Sequence, residues 1–178
     1  VQTCALPISM VVQLRPIALN DAPKVQALQT SSIGQLMFPI SEQEIHDLLA
    51  GGQGCIIGAW LGEALIAFLA ITLPDLGENN LGHDAGLPQH QLSGLAQWTA
   101  VVVHPDYRGK GLQVVLLHYS LHQLDWPQVR RWLATVRCDN EFSLRNFRAV
   151  GARVVKTIRK YDGHLRFLLL LELPARSG

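Results

Sequence analysis

The sequence predicts one mixed α/β domain, a sheet of about seven strands with four helices on its faces. Three observations lead there. The chain has 178 residues, 48% of them hydrophobic, which suits a single domain with a sizeable core. Short apolar runs alternate with stretches of helical spacing, in the order β-α-α-β-β-β-α-β-α-β-β. One run, residues 95–103, is apolar on both faces and belongs at the centre of the sheet.

The elements follow in order. Residues 11–15 form a first strand, stopped by Pro16. Asn20 or Asp21 caps a helix with Pro23 in its first turn, and the helix runs to Ser32. Residues 34–40 are a loop holding Met37, Phe38 and Pro39. Ser41 to Glu44 is a capping box, and Ile45, Leu48 and Leu49 form the apolar stripe of a second helix. Residues 55–60 and 63–73 are strands joined by a tight turn at Leu61-Gly62. Residues 75–93 are rich in Gly, Asn, His and Gln without periodicity, and read as a long loop, either functional or disordered. The central strand then feeds a Gly-rich turn and a deeply packed helix over residues 112–124. Residues 131–136 are a strand. Asp139 or Asn140 caps a helix reaching about Val150, with Gly151 as its stop. Residues 153–161 and 165–173 close the chain as a hairpin across Asp162-Gly163.

The net charge is +1, so no global field draws the chain to nucleic acid or to a membrane. Ten of the fifteen Lys and Arg residues fall between Arg130 and Arg166, making one face of the C-terminal half basic. Cys4, Cys55 and Cys138 are too scattered for a disulfide framework or a zinc site, and no metal is expected. They fit a reducing, cytoplasmic setting. No apolar run approaches the ~18–20 residues of a membrane span. Ala5-Leu6-Pro7-Ile8 is what GCTCTTCCGATC encodes, a string that looks like a sequencing adapter. Residues 1–9 therefore read as non-native read-through, Met10 as the natural start, residues 10–174 as the domain and residues 175–178 as a tail.

The chemistry concentrates at His104-Pro105-Asp106-Tyr107-Arg108-Gly109-Lys110-Gly111. A buried strand, a turn and a helix start place several backbone N–H groups and two cationic side chains around one point, which suits a phosphate-bearing ligand. Gly109 and Gly111 let a ligand approach the backbone closely. A dinucleotide fold lacks its third glycine and distal acid. A P-loop lacks its Gly-Lys-Ser/Thr.

The run from Val101 to Gly111 resembles the acyl-CoA motif of the GNAT N-acetyltransferase superfamily, Arg/Gln-x-x-Gly-x-Gly/Ala. Here it reads Arg108-x-x-Gly111-x-Gln113, with a bulky residue at the last small position. A second segment, Asn140-x-x-Ser143-x-x-Asn146-Phe147-x-x-x-Gly151-Ala152, is similar to that family's Asn-x-x-Ala-x-x-Leu-Tyr-x-x-x-Gly-Phe. The resemblance implies a mostly antiparallel twisted sheet, with acetyl-CoA as co-substrate. Its pantetheine arm would lie along Val101, Val102 and Val103, with the N–H of Val103 as oxyanion donor. Arg108, Gly109, Lys110, Gly111, Leu112 and Gln113 would hold the pyrophosphate. Asn140, Ser143, Asn146 and Phe147 would bound the arm from the far side.

The resemblance also implies a reaction, direct attack of a primary amine on the thioester. The acceptor would be a small molecule, amino acid or peptide, and the enzyme a monomer or homodimer. Two departures bear on acid–base chemistry. The family's strand glutamate aligns with Gln97, which leaves Asp75, Glu78, His83, Asp84, His90 or a water chain as the base. The family's tyrosine aligns with Phe147, which leaves Ser143 or Asn146 to hydrogen-bond the sulfur. Residues 34–40 and 75–93 would wall the acceptor site, with Met37, Phe38 and Trp98 as apolar lining. The alternatives are a catalytically weak acyl-CoA-binding module, or a transferase using another acyl-CoA.

Overall fold

The computed structural model describes residues 11–32 and 38–174. The expectations for residues 1–9, Met10, Met37 and the tail at 175–178 lie outside these. Seven strands form one sheet in the order β1-β2-β3-β4-β5-β7-β6. They are β1 (Gln13–Pro16), β2 (Gly54–Leu61), β3 (Ala64–Thr72), β4 (Leu95–Val103), β5 (Arg131–Arg137), β6 (Arg153–Arg159) and β7 (Leu165–Glu172). Every pairing is antiparallel except β4 with β5. The helices are α1 (Ala22–Ser32), α2 (Glu42–Leu49), the single-turn α3 (Leu81–Asp84), α4 (Leu112–Gln123) and α5 (Glu141–Ala149).

Local chemistry accounts for most boundaries. Ser41 and Glu44 form the reciprocal capping box that starts α2. Asn140 starts α5 by accepting from the Ser143 N–H, while Asp139 pairs with Arg137 instead. Neither Asn20 nor Asp21 caps α1. Both lie in a 3-10 turn, Leu19–Asp21, which runs directly into the helix. The α4 helix is less enclosed than its sequence suggests, since Val115 is 45% exposed.

Two layers cover the sheet. On one face, α4 and α5 enclose Leu69, Trp98, Leu116, Leu117, Trp132 and Phe147. On the other, α1 and α2 bury Val25, Leu28, Ile45, Phe68 and Val102 against the β1–β4 half. The 75–94 segment covers the remainder of that face with Leu81 and Leu92, packed on Leu133, Leu168 and Leu170.

The 75–93 segment is therefore built structure, not an aperiodic loop. It holds α3 and a 3-10 helix, Gln89–Gly94. Asn80 organises it. This side chain is fully buried, donates to the Asp75 and Leu92 carbonyls and accepts from the Gly82 N–H. A segment poor in apolar residues gains its order from such a hub, because each buried backbone group finds a partner. Asn80→Ala strands the buried Leu92 carbonyl and Gly82 N–H and the part-buried Asp75 carbonyl, and is expected to lower stability by about 2 kcal/mol, read as a lower urea midpoint with unchanged slope. An unchanged midpoint would remove Asn80 as the organiser.

Candidate functional site

The two central parallel strands pair only briefly. Their ladder is Leu95↔Arg131, Ala96↔Trp132 and Gln97↔Leu133, and there it stops. Beyond it β4 stays with β3 as far as Val103↔Ala67, and β5 stays with β7 as far as Arg137↔Arg166. The strands splay, and a wedge opens between them toward their C-terminal ends.

A bulge sets what faces the wedge. Ala70 pairs with Ala100 but Ile71 pairs with Trp98, so Thr99 is an extra residue on β4. It shifts the alternation by one. Trp98 packs with the α4/α5 layer, whereas Ala100 and Val102 pack with α1 and α2. The Thr99 hydroxyl lies 2.8 Å from that of Thr72. Backbone direction follows from the far end of β4. The His104 N–H donates to the Ile66 carbonyl on β3 at 2.9 Å. N–H groups alternate sides along a strand, so Val102 faces β3 while Val101 and Val103 face the wedge. Val102, placed in the binding set by sequence, is thus committed to its neighbour strand.

The turn after β4 ends at the wide mouth of the wedge. Gly109 (φ +74°) and Gly111 (φ +77°) are left-handed, and a Cβ on either would meet no atom of the described residues within 4 Å beyond its chain neighbours. Gly111 is the N-cap of α4 and offers no side-chain cap, so the first N–H groups, those of Leu112 and Gln113 among them, have no intrahelical acceptor. Arg108 is not aimed at this point. Its Nη2 donates to the Ser32 carbonyl at 2.6 Å and its Nε to the Val103 carbonyl at 3.3 Å. It ties the turn to the C-terminal end of α1, where a cation also meets the helix dipole favourably. Lys110 is left as the turn's uncommitted cation, resting over the Tyr107 ring at 5.0 Å.

The second motif meets the first across the helices. Gln113 Nε2 donates to Ser143 Oγ at 3.0 Å, and Asn146 Nδ2 donates to Gln113 Oε1 at 3.0 Å. The Gln113 side chain thus clasps α5 and does not turn to the open N–H groups at the start of α4. Asn140 Oδ1 is spent on the α5 cap. Phe147 is core, 3% exposed, with its ring 5.4 Å from that of Trp98. Trp98 itself stacks on Trp132 and donates to Ser120, so it does not line an acceptor site.

Gln97 is 8% exposed and its Oε1 accepts from the Leu81 N–H at 2.6 Å. It pins α3 to the sheet. Three of the five acidic and imidazole candidates of the 75–93 segment are engaged in structural contacts. Asp75 accepts from the Gly77 N–H, His83 bonds the Leu76 carbonyl and Asp84 pairs with Lys160. Glu78, His83 and Asp84 line a shallow cleft of about 580 Å³ with Lys156, on the β6 side of this segment.

Sequence reasoning named Phe38 as acceptor-site lining but missed its partner. Phe38 stacks on Tyr161 at 5.1 Å, joining the α1–α2 connection to the β6–β7 hairpin. Tyr161 is the single described non-glycine residue at positive φ (61°). Burial raises its phenol's pKa, while Lys160, the Thr135 hydroxyl and Arg166 draw it back. Only Asp162-Gly163 was legible there, as a turn. Burial pushes the Cys55 thiol up to about 11, so it holds almost no thiolate at pH 7. Among the described residues, no group of three or more His, Cys, Asp or Glu side chains is placed to hold a metal. Among them too, no helix is long and apolar enough to cross a membrane.

Comparison with known proteins agrees with this geometry. A family model described as the acetyltransferase (GNAT) family matches residues 25–152. An uncharacterized N-acetyltransferase of Bacillus subtilis, YfmK, is 33% identical over 72 residues, 40% of this chain and 49% of that protein; the match thus spans about half the length of this curated relative. Among solved structures, the ribosomal-protein-S18-alanine N-acetyltransferase of Escherichia coli superposes with a TM-score of 0.72 at 17% identity, over 94% of this chain and 97% of that one. Arabidopsis thaliana NAA60 in complex with acetyl-CoA gives a TM-score of 0.75 at 16% identity, over 92% and 99%. At such identities the likeness is one of fold.

Proposed function

The chain belongs to the acetyltransferase (GNAT) family, and from that premise we propose that it moves an acetyl group from acetyl-CoA to a primary amine of a small molecule, amino acid or peptide. The observation that carries the reading is the wedge, where β4 leaves β5 after Gln97 beside a turn of open glycines. An extended amide-bearing arm fits such an edge as an added strand.

In this mechanism the N–H groups around Gly109, Gly111 and the start of α4 grip the diphosphate, with Lys110 adding charge. Val101 and Val103 hold the arm by their backbones. The Val103 N–H polarises the thioester carbonyl as negative charge develops on its oxygen. The amine enters from the Phe38–Tyr161 side and attacks in its neutral form. An amine with a pKa near ~10 is mostly protonated at pH 7, so its proton goes first to water. Gln97 cannot take that proton. After attack the nitrogen gives its second proton to water, the C–S bond breaks and the sulfur leaves as thiolate, a fair leaving group for a thiol of pKa ~8.5. Alignment of the reactants supplies most of the acceleration.

The test is thiol release from acetyl-CoA across a panel of amino acids, small primary amines and short peptides with free N-termini. Saturable, amine-dependent release supports the transferase. Gln97 and Phe147 have structural duties, which favours a second reading, an acyl-CoA-binding module of weak activity. Binding of CoA with no release across the panel selects it.

A further inference from the structure

Arg166 is a buried cation with a donor left over. It sits on β7 at 3% exposure and ends the basic stretch that begins at Arg130. Its Nη2 donates to Asp162 Oδ2 at 3.2 Å, while its Nε is buried and has no hydrogen-bond partner. Arg137 on β5 stands directly opposite. Asp139 takes Arg137 with both oxygens, from Nε at 3.0 Å and from Nη2 at 2.7 Å. Like charges facing each other across a strand pair repel, and an unpaired donor on a buried charge is costly. A residue that only closes the hairpin needs neither feature.

Alternation along the strands places both side chains. Leu168 and Leu170 of β7 pack with Leu133 of β5 under the 75–94 segment. Arg166 is two residues from Leu168 and Arg137 four from Leu133, so both share that face. It is the face that α1 and α2 cover over β1–β4, and the wedge lies between the two coverings. Counted from the Gln97↔Leu133 pair, with the bulge at Thr99 allowed for, Arg137 is level with Val102. That is one residue short of Val103, whose N–H meets the thioester carbonyl in the mechanism above. The Tyr161 ring lies over the Arg166 guanidinium at 5.2 Å and stacks in turn on Phe38. Both rings are about half-exposed, and they wall the side from which the amine enters.

We propose that Arg166 receives a carboxylate of the acceptor, so that the acceptor is a free amino acid and not a peptide or a plain amine. This rests on the acetyltransferase reading above and narrows its substrate class. Asp162, Asp139 and Asp84 are each matched with a cation, Arg166, Arg137 and Lys160. An incoming carboxylate therefore meets balanced surroundings with one guanidinium donor still open. It reaches that donor by taking the place of the Tyr161 ring, which swings out on the β6–β7 connection. A planar guanidinium suits a carboxylate better than a point charge does. In an amino acid a single carbon separates carboxylate from amine, so a carboxylate held at Arg166 keeps the amine beside the wedge.

The experiment compares acceptors that differ in that group alone. Thiol release from acetyl-CoA by the full chain is measured for a set of amino acids, their carboxamides and their decarboxylated amines, each at a matched concentration of neutral amine. The preferred amino acid is expected to exceed its two analogues by about a hundredfold in kcat/KM, since a site built for a charged group rejects partners that lack it. In Arg166→Gln that advantage should nearly vanish, with turnover of the carboxamide unchanged. Arg166→Lys keeps the charge without the planar group and should retain part of the advantage. CoA affinity by calorimetry reports whether each variant is folded, and R166K carries the variant test should R166Q unfold. Equal kcat/KM for amino acid and carboxamide in the unaltered protein would overturn the proposal. So would turnover of amines or peptides but of no amino acid, or an R166Q protein that loses both substrates alike while binding CoA. Thiol release with no amine at all in the panel would instead remove the acetyltransferase reading, and the proposal with it.

Discussion

Gly111→Val is expected to weaken CoA binding about a hundredfold, or about 2.7 kcal/mol, in a calorimetric titration. Gly111 holds φ +77° at the start of α4, and a Cβ there would project into open space. That space is where a diphosphate must come to reach the first N–H groups of the helix. Valine fills it, and as a β-branched residue at positive φ it also strains the turn by about 1–3 kcal/mol. Strain alone would lower stability without acting on the ligand, so a matched control separates the two. Gly86 has φ +70° and equally open surroundings, but it follows α3 on the other face of the sheet. Gly86→Val should cost similar stability and leave CoA affinity intact. Equal affinities for the two variants would remove the turn from the binding site.

Phe147→Ala is expected to cost about 3–5 kcal/mol of stability, the usual penalty for emptying a buried aromatic site. The ring is 3% exposed and packs on Trp98 in the layer beneath α4 and α5. Its effect on chemistry should be small, because phenylalanine has no proton to give. Thermal melts and kcat together decide the point, and Phe147→Leu provides a folded comparison should the alanine variant unfold. A loss of kcat above about a hundredfold with CoA affinity intact would show that residue 147 acts on the reaction itself.

What the sequence made legible was whatever is written in short stretches. β4 runs from Leu95 to Val103 because a mostly apolar run, broken only by Gln97 and Thr99, between Gly94 and Pro105 leaves little choice. The Ser41 capping box and the Asn140 cap are four-residue patterns that satisfy their own helix ends. The site's finer geometry is written at long range. Arg108 reads locally as a phosphate ligand, yet its partner Ser32 lies 76 residues away. Gln113 reads as a crowded pyrophosphate contact until α5 arrives 30 residues later with Ser143. The bulge at Thr99 depends on how β3 and β4 register, and it decides which valine amides face the wedge. Residues 75–93 look unstructured because their order comes from Asn80 and two leucines, not from periodicity.

Residue-resolved amide hydrogen exchange on β4, with and without saturating CoA, tests the central claim most directly. The N–H groups of Val101 and Val103, aimed into the wedge, should exchange quickly in the free protein and slow markedly once CoA is bound. The Val102 N–H, already held by β3, should be slow in both states. Unchanged exchange at Val101 and Val103 under saturating CoA would contradict the account.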